Sequence, residues 1–317
     1  MSSNSPKVSV IIPTYNRGHL IQKSILSVLN QTYKNLEVIV VDDSDDDTEK
    51  KVKEINDSRL IYIKNPKRMG VSRARNLAIN LSKGELIAFQ DSDDEWLPEK
   101  LEKQVNLLLS LPSDYAAVYC GMEYFDIKTN EVIGIELKEI NFRQSYEEGL
   151  LQTPPTQTIL IKKSVLDEVG YFDERLQAAE DTELTIRVSR KYLFGFVKEP
   201  LIRVAKNHDS LMGNALNYLK AYDIIYEKHN DFLSDPILFS LSKNLASYWI
   251  MKGDISKAKY YIKRSLKHQK NIATISQLIL ITFSPKLLKY LYKLKYSAGI
   301  PHPTQPGRVI EENRKDY

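Results

Sequence analysis

The chain has 317 residues, 42% of them apolar and 27% charged, which suits one large α/β domain or a domain with an extension and argues against disorder. Its single cysteine, Cys120, excludes an internal disulfide and fits a reducing, cytoplasmic setting. The net charge of +4 is unevenly spread: residues 236–300 carry twelve lysines and arginines against one acid, Asp254. A basic segment behind an acidic body favours an anionic surface as partner and disfavours nucleic acid.

The first apolar run, residues 8–12 (VSVII), stops at Pro13 and reads as a buried strand, too short for a signal peptide. Residues 19–31 carry Leu20, Ile21, Ile25, Val28 and Leu29 at helical spacing. A second buried strand, 36–41 (LEVIVV), ends in the acidic loop 42–47. Residues 60–63 form a third strand, 71–81 a helix entered from Gly70, and 85–90 (ELIAFQ) a strand running into Asp91-Ser92-Asp93-Asp94. This alternation predicts a mainly parallel α/β sheet covered on both faces.

Residues 99–111 read as helix, 116–125 as strand, 127–140 as a hairpin or irregular, 158–161 as a short strand and 164–169 as helix. After the turn 170–173, residues 181–191 are helical, and 194–204 carry strand signals on both sides of Pro200. From Leu216 the pattern is helical. Residues 241–252 and 255–268 form a hairpin in which Gly253 closes one helix and Asp254 caps the next. Residues 277–296 make a further helix or two, interrupted near Pro285. The expected organisation is an α/β domain at 1–215, a helical extension at 216–300 and a flexible tail at 301–317. No apolar run approaches the ~20 residues of a bilayer span.

In open parallel sheets, ligands bind beyond the carboxyl ends of the strands. Here three strands end in Thr14-Tyr15-Asn16-Arg17, the loop 42–47 and 91–94. A rim so rich in carboxylates needs solvent or cations. Mg²⁺ and Mn²⁺ take one or two carboxylates together with phosphate oxygens, so a bound diphosphate would suit it. The triplet Asp91-Ser92-Asp93 is weak by itself and gains force from its place after an apolar strand.

The order of motifs resembles the inverting family 2 glycosyltransferases of the GT-A fold. The matching pieces are VSVIIPTYNR (8–17), VIVVDDSDDDT (38–48), GVSRARN (70–76), FQDSDDEW (89–96), GYFDE (170–174) and AEDTEL (179–184). The resemblance spans roughly residues 8–210 and implies transfer of a sugar from a nucleotide-diphosphate donor, UDP in the first place, to an acceptor hydroxyl. It places Pro13 and Tyr15 beside the donor base, Asp43 on the uracil imide, and Asp91 and Ser92 near the ribose. Arg73 would meet donor phosphates, or else make a surface ion pair. Asp93 and Asp91 would hold Mn²⁺ or Mg²⁺, joined by His208, although the gap from Arg203 to His208 is longer than the family's usual one. Asp181 would be the general base, with Glu180 and Gln177 near the sugar and acceptor.

The acceptors left open are a glycan, a glycoprotein, a lipid-linked saccharide or a teichoic-type polymer of the cell envelope, met at the cytoplasmic face of the membrane. Residues 277–300, where lysines interleave with Leu, Ile and Tyr, suit peripheral membrane contact or packing within a helical hairpin, and the helical extension could equally serve a homodimer. Two rival readings are weaker. A nucleotidyltransferase needs a glycine-rich opening loop that PTYNR does not supply. A non-catalytic scaffold has no use for intact Asp93 and Asp181.

Overall fold

β-branched apolar runs build the centre of one sheet. In the computed structural model, which describes residues 5–206 and 215–297, strands β1 (Val8–Thr14), β2 (Leu36–Asp42), β3 (Leu60–Lys64) and β4 (Leu86–Phe89) lie parallel in the order β3-β2-β1-β4. β1 and β2 are covered on both faces, so they read as continuous apolar runs rather than as alternation. Among their polar exceptions, Ser9 and Glu37 pair with each other. Glu37 accepts from Ser9 Oγ at 2.6 Å, from Lys7 Nζ at 2.7 Å and from the Lys83 amide at 2.7 Å. Burial pulls its carboxyl up, but these hydrogen bonds outweigh that and hold it below the ordinary range.

Helix α1 (Ile21–Leu29) buries Ile21, Ile25 and Val28 in one cluster with Val8, Val10 and Ile12 of β1. It is two residues shorter at each end than its sequence pattern, because residues 17–20 form a turn in which the amides of Leu20 and Ile21 donate to Arg17 O. The six-residue α2 (Thr48–Lys53), too short to show a period, emerges after the acidic loop. α3 is Val71–Leu81. With right-handed crossovers, the strand order puts α1 and α2 on one face and α3 on the other.

The sheet continues from β4 through β8 (Leu160–Lys162), β6 (Tyr115–Asp126) and β9 (Leu193–Lys206) to β5 (Glu95–Trp96). β6 and β9 are parallel, while β4/β8, β8/β6 and β9/β5 are antiparallel, so the sheet is parallel at one side and mixed at the other. β7 (Val132–Glu136) folds back on β6 as a hairpin. α4 (Lys100–Ser110), α6 (Lys163–Val169) and α7 (Glu180–Ser189) complete the covering layers. β9 crosses Pro200 by slipping register: Cys120 faces Val197 and Gly121 faces Pro200, leaving Lys198 and Glu199 as a bulge.

The chain divides into two compact units, the first comprising the described residues of Met1–Asn141, Thr153–Arg175 and Glu180–Ser210. The second holds Phe142–Gln152, with α5 (Phe142–Glu147), Leu176–Ala179 and the helices α8 (Ala215–His229), α9 (Asp235–Lys252), α10 (Ile255–His268), α11 (Ile272–Phe283) and α12 (Pro285–Ser297). Residues 142–152 and 176–179 thus join the helical unit although their sequence position falls within 1–215. Ser234 Oγ donates to Tyr146 O at 2.5 Å, and Tyr146 meets Phe232 edge-on with 6.2 Å between ring centroids.

 Within this unit Leu219, Leu245, Ile250, Ala258, Ile262, Ile281 and Leu288 form a core of their own. Gly253, at φ 84°, closes α9, and Asp254 caps α10 by accepting from the Lys257 amide at 3.0 Å, as the sequence predicts. Among the described residues no helix is long and apolar enough to cross a membrane. His208 and the tail 301–317 lie outside the described residues.

Candidate functional site

The register of the parallel strands brings three loops to one rim. Thr14 lies opposite Asp42, the Asp43 amide donates to Thr14 O at 3.0 Å, and the Gln90 amide donates to Ile11 O at 2.9 Å. β1 is flanked by β2 on one side and by β4 on the other, so the connections diverge here and leave a crevice at its carboxyl end.

On the β2 side, Asp43 is buried and its carboxylate receives three hydrogen bonds: Asn65 Nδ2 at 2.7 Å, the Met69 amide at 2.9 Å and the Gly70 amide at 2.8 Å. Gly70 has φ 91°, a conformation that admits glycine readily and turns its amide toward Asp43 while opening α3. Tyr15 is 38% exposed, with the Arg68 guanidinium 4.1 Å from its ring centroid. Pro13 is half-buried beside it. Asp42 is taken up by the fold, accepting from the Ser44 amide, Tyr62 Oη and Lys64 Nζ. In the acidic loop Asp46 anchors α2 and the β1 loop through Thr48 and the Gly18 amide.

On the β4 side, Gln90 shapes the carboxylate loop. Its Nε2 donates to Asp94 O at 2.6 Å, while Ser24 Oγ donates to Asp91 O at 3.0 Å. Ser92 is buried. Asp93 is 45% exposed and lies 3.6 Å from Arg17 Nε. Asp94 is buried, and burial together with Asp91 and Asp93 pushes its carboxyl up to about 9. A cavity of about 370 Å³ opens beside Asp93 and Asp94, lined further by Leu20, Lys23, Glu95 and Phe125.

Arg75, which sequence reasoning passed over in favour of Arg73, ties these acids to α7. Its side chain is 5% exposed; Nη1 meets Glu180 Oε1 at 2.7 Å and Nη2 meets Asp91 Oδ1 at 3.3 Å. Arg73 is instead 51% exposed and pairs with Glu174 at 2.9 Å. The two arginines stand two residues apart on α3 and so face opposite ways. Helical spacing could have found Arg75, because it shares the buried face with Ser72, Ala78 and Ile79. Asn76, one residue on, donates to Phe172 O at 2.9 Å and accepts from the Phe172 amide at 3.0 Å. Phe172 packs edge-on against Phe89 with centroids 5.4 Å apart. The motifs at 70–76, 89–96 and 170–174 are therefore knitted into one support.

α7 is held on that support by Arg187, which pairs with Glu183 at 2.8 Å and donates to Val169 O, Gly170 O and Tyr171 O. Ala179 precedes the helix at φ 53°, a left-handed turn that costs an L-residue on the order of 1 kcal/mol. Asp181 Oδ1 accepts from the Thr182 amide at 2.7 Å, and its Oδ2 has no protein partner among the described residues. Burial, then the neighbouring Glu180, pushes the Asp181 carboxyl up to about 6, against the pull of the Thr182 amide and Arg75. Burial pushes the Asp91 carboxyl up as well, with Arg75 opposing and Asp93 and Glu180 adding to the rise. Gln177 is exposed and belongs to the second unit.

Four buried polar atoms of the first unit have no partner among the described residues, and beside Trp96 Nε1 they are Thr14 Oγ1, Arg75 Nε and Gln90 Oε1. The last three belong to residues at the rim or behind it, where a polar ligand or water can satisfy them. Among the described residues no group of three His, Cys, Asp or Glu side chains is placed to hold a metal. Asp91 and Asp93 nevertheless fit a Mg²⁺ or Mn²⁺ that draws its remaining ligands from phosphate and water: both are hard oxygen donors, both are partly exposed at 35% and 45%, and the acids around them repel one another.

Residues 9–170 match the family described as Glycosyl transferase family 2. An uncharacterized glycosyltransferase of Rickettsia prowazekii (strain Madrid E) is 30% identical over 316 residues, covering 98% of each chain. The Escherichia coli UDP-Glc:alpha-D-GlcNAc-diphosphoundecaprenol beta-1,3-glucosyltransferase WfgD is 43% identical over 128 residues, 40% of this chain and 49% of that one. Among solved structures, S. aureus TarS 1-349 in complex with UDP-GlcNAc superposes with a TM-score of 0.67 at 18% identity, covering 92% of each chain. The mannosyltransferase PcManGT from Pyrobaculum calidifontis, in complex with GDP-Man and Mn2+, gives 0.57 at 18% identity over 94% of this chain and 87% of that one. These two likenesses speak to the fold.

Proposed function

The chain belongs to glycosyl transferase family 2 and is a sugar-transferring enzyme, and from that premise we propose that it moves a sugar from UDP to an acceptor hydroxyl with inversion, using Asp181 as general base and Asp91 and Asp93 as the metal carboxylates. The observation that carries the reading is the state of Asp181: one oxygen is fixed by the Thr182 amide, the other has no partner among the described residues, and the carboxyl is pushed up to about 6. A base with that value is ionised at neutral pH yet still a competent proton acceptor.

Asp181 takes the proton of the acceptor hydroxyl as that oxygen forms its bond to the anomeric carbon. The bond from that carbon to the phosphate oxygen breaks on the opposite face, and its electron pair leaves with the diphosphate. Asp91 and Asp93 would hold a Mn²⁺ or Mg²⁺, which would supply charge neutralisation for the departing diphosphate. Arg75 holds Asp91 and Glu180 in place. Asp43 has about one lone-pair direction left after its three hydrogen bonds, which suits the imide N–H of uracil, with Tyr15 and Pro13 flanking the base. The lipid-linked acceptor in the name of the E. coli relative supports a lipid-linked saccharide as the acceptor class here, and His208 stays a candidate metal ligand.

The test is titration of UDP into the protein with Mn²⁺, with chelator, and into Asp93→Ala. UDP binding that depends on Mn²⁺ and weakens in the variant is expected; binding and transfer that survive chelation unchanged would remove the metal from the scheme. The pH profile is a second expected result. Because Asp181 works ionised, kcat/KM falls about tenfold per pH unit below about 6 and levels off above it. A flat profile from pH 5 to 8 would take the base role from Asp181.

A further inference from the structure

The last two helices of the second unit expose what a helix normally hides. α11 turns Thr274 and Ile281 inward and leaves Ile272, Ile275, Ile279 and Phe283 exposed, at spacings of three and four that make one stripe. Ile272 and Phe283 are 83% and 82% exposed. After the turn at Ser284-Pro285, α12 repeats the arrangement: Leu288 and Tyr292 enter the core, while Leu287, Tyr290, Leu291 and Leu294 stay outside. Single exposed leucines are ordinary on a protein surface. Eight large apolar side chains in two helical stripes are not.

The charge around the stripes selects what covers them. Lys286 and Lys293 are exposed and Lys289 half-buried on α12, Lys270 precedes α11, and residues 255–297 contain no Asp or Glu. The remaining neighbours on these helices are Ser, Thr, Gln and Ala, so no acid opposes an anionic partner. Lysine stems can lie along the apolar stripe with their ammonium groups at its edge, and Tyr290, with an apolar ring and a polar hydroxyl, is suited to a boundary between apolar and polar media. Neither helix is long and apolar enough to span a bilayer.

We propose that the exposed stripes of α11 and α12 dock the enzyme onto the surface of a bilayer containing anionic lipid, the apolar side chains entering the headgroup boundary and the lysines meeting lipid phosphates. This inference uses no residue of the donor site and does not depend on the sugar-transfer reading. A bilayer is favoured over a protein partner because the stripe is apolar and every charge on these two helices is a lysine, the pattern of an interfacial helix.

The experiment is flotation of the full chain with phosphatidylcholine vesicles, with and without phosphatidylglycerol, at low and high salt. Two variants accompany it: Lys286→Gln/Lys289→Gln/Lys293→Gln and Phe283→Gln/Leu287→Gln/Leu291→Gln. All but the half-buried Lys289 are exposed sites, and circular dichroism reports whether the helices persist. The expected result is flotation with phosphatidylglycerol vesicles alone, weakened by salt and lowered on the order of a hundredfold by removal of the three lysine charges. The apolar triple variant should also lose partitioning while keeping its helix content. The proposal is overturned if the chain stays unbound to both vesicles, floats equally without anionic lipid, or floats undiminished in either variant. Self-association abolished by the apolar variant, without flotation, would assign the face to a second copy and overturn it too.

Discussion

Asp181→Asn is expected to lower kcat by about 10²- to 10⁴-fold while leaving UDP binding intact, the range that a positioned general base contributes. The variant also separates chemistry from folding. The folded Asp181 carboxyl sits near 6, above its ordinary 3.8, so the fold favours the protonated form. That stabilisation is complete below the unfolded value and is lost as pH rises through about 6. Asparagine imitates the neutral acid and can still accept from the Thr182 amide. Above pH 6 its melting temperature should therefore equal or exceed that of the parent. Single-turnover kinetics with thermal melts checks both halves, and a normal rate in this variant would refute the assignment.

Arg75→Met should be the most damaging single change in the support of the site. The guanidinium is 5% exposed between Glu180 and Asp91, and without it Asp91, Glu180 and Asp181 face one another uncompensated. Removing one partner of a buried ion pair costs about 3–5 kcal/mol, and the low end applies because Asp91 is 35% exposed and partly screened. Loss of about 3 kcal/mol in urea unfolding is expected, with transfer lost as well. Arg73→Ala, at an exposed pair with Glu174, should change stability by less than about 1 kcal/mol. If the two variants behave alike, Arg75 is not the keystone described here.

The contrast between these arginines shows how far sequence reasoning reached. The motif 70–76 drew attention to the right helix, and Arg73 was read as either a phosphate contact or a surface ion pair. Its contact in the structure is the ion pair with Glu174. Arg75 was missed because a charged residue on an apolar stripe is read as noise until its partners are known, and those partners lie 16 and 105 positions along the chain. Asp43 was singled out from the sequence, but its three hydrogen bonds depend on where Asn65 and Gly70 come to rest. The antiparallel strand β8 was visible as a short apolar run. Nothing local told it apart from another parallel strand, because direction is set by the path the chain takes to reach β4 and β6.

By itself, the sequence determined the elements with strong periodicity: the apolar strands β1, β2 and β4, the amphipathic helices, the Gly253-Asp254 hairpin, and the placing of acids at strand ends. These follow from local physics, namely side-chain period, capping and turn preference, which act over a few residues. Tertiary structure alone decided strand direction beyond β4, the bulge around Pro200, the recruitment of residues 142–152 into the helical unit, and the buried Arg75 that joins Asp91 to Glu180. Each of these depends on contacts between segments far apart in sequence, where the energy of packing and of satisfying buried charge outweighs any local preference.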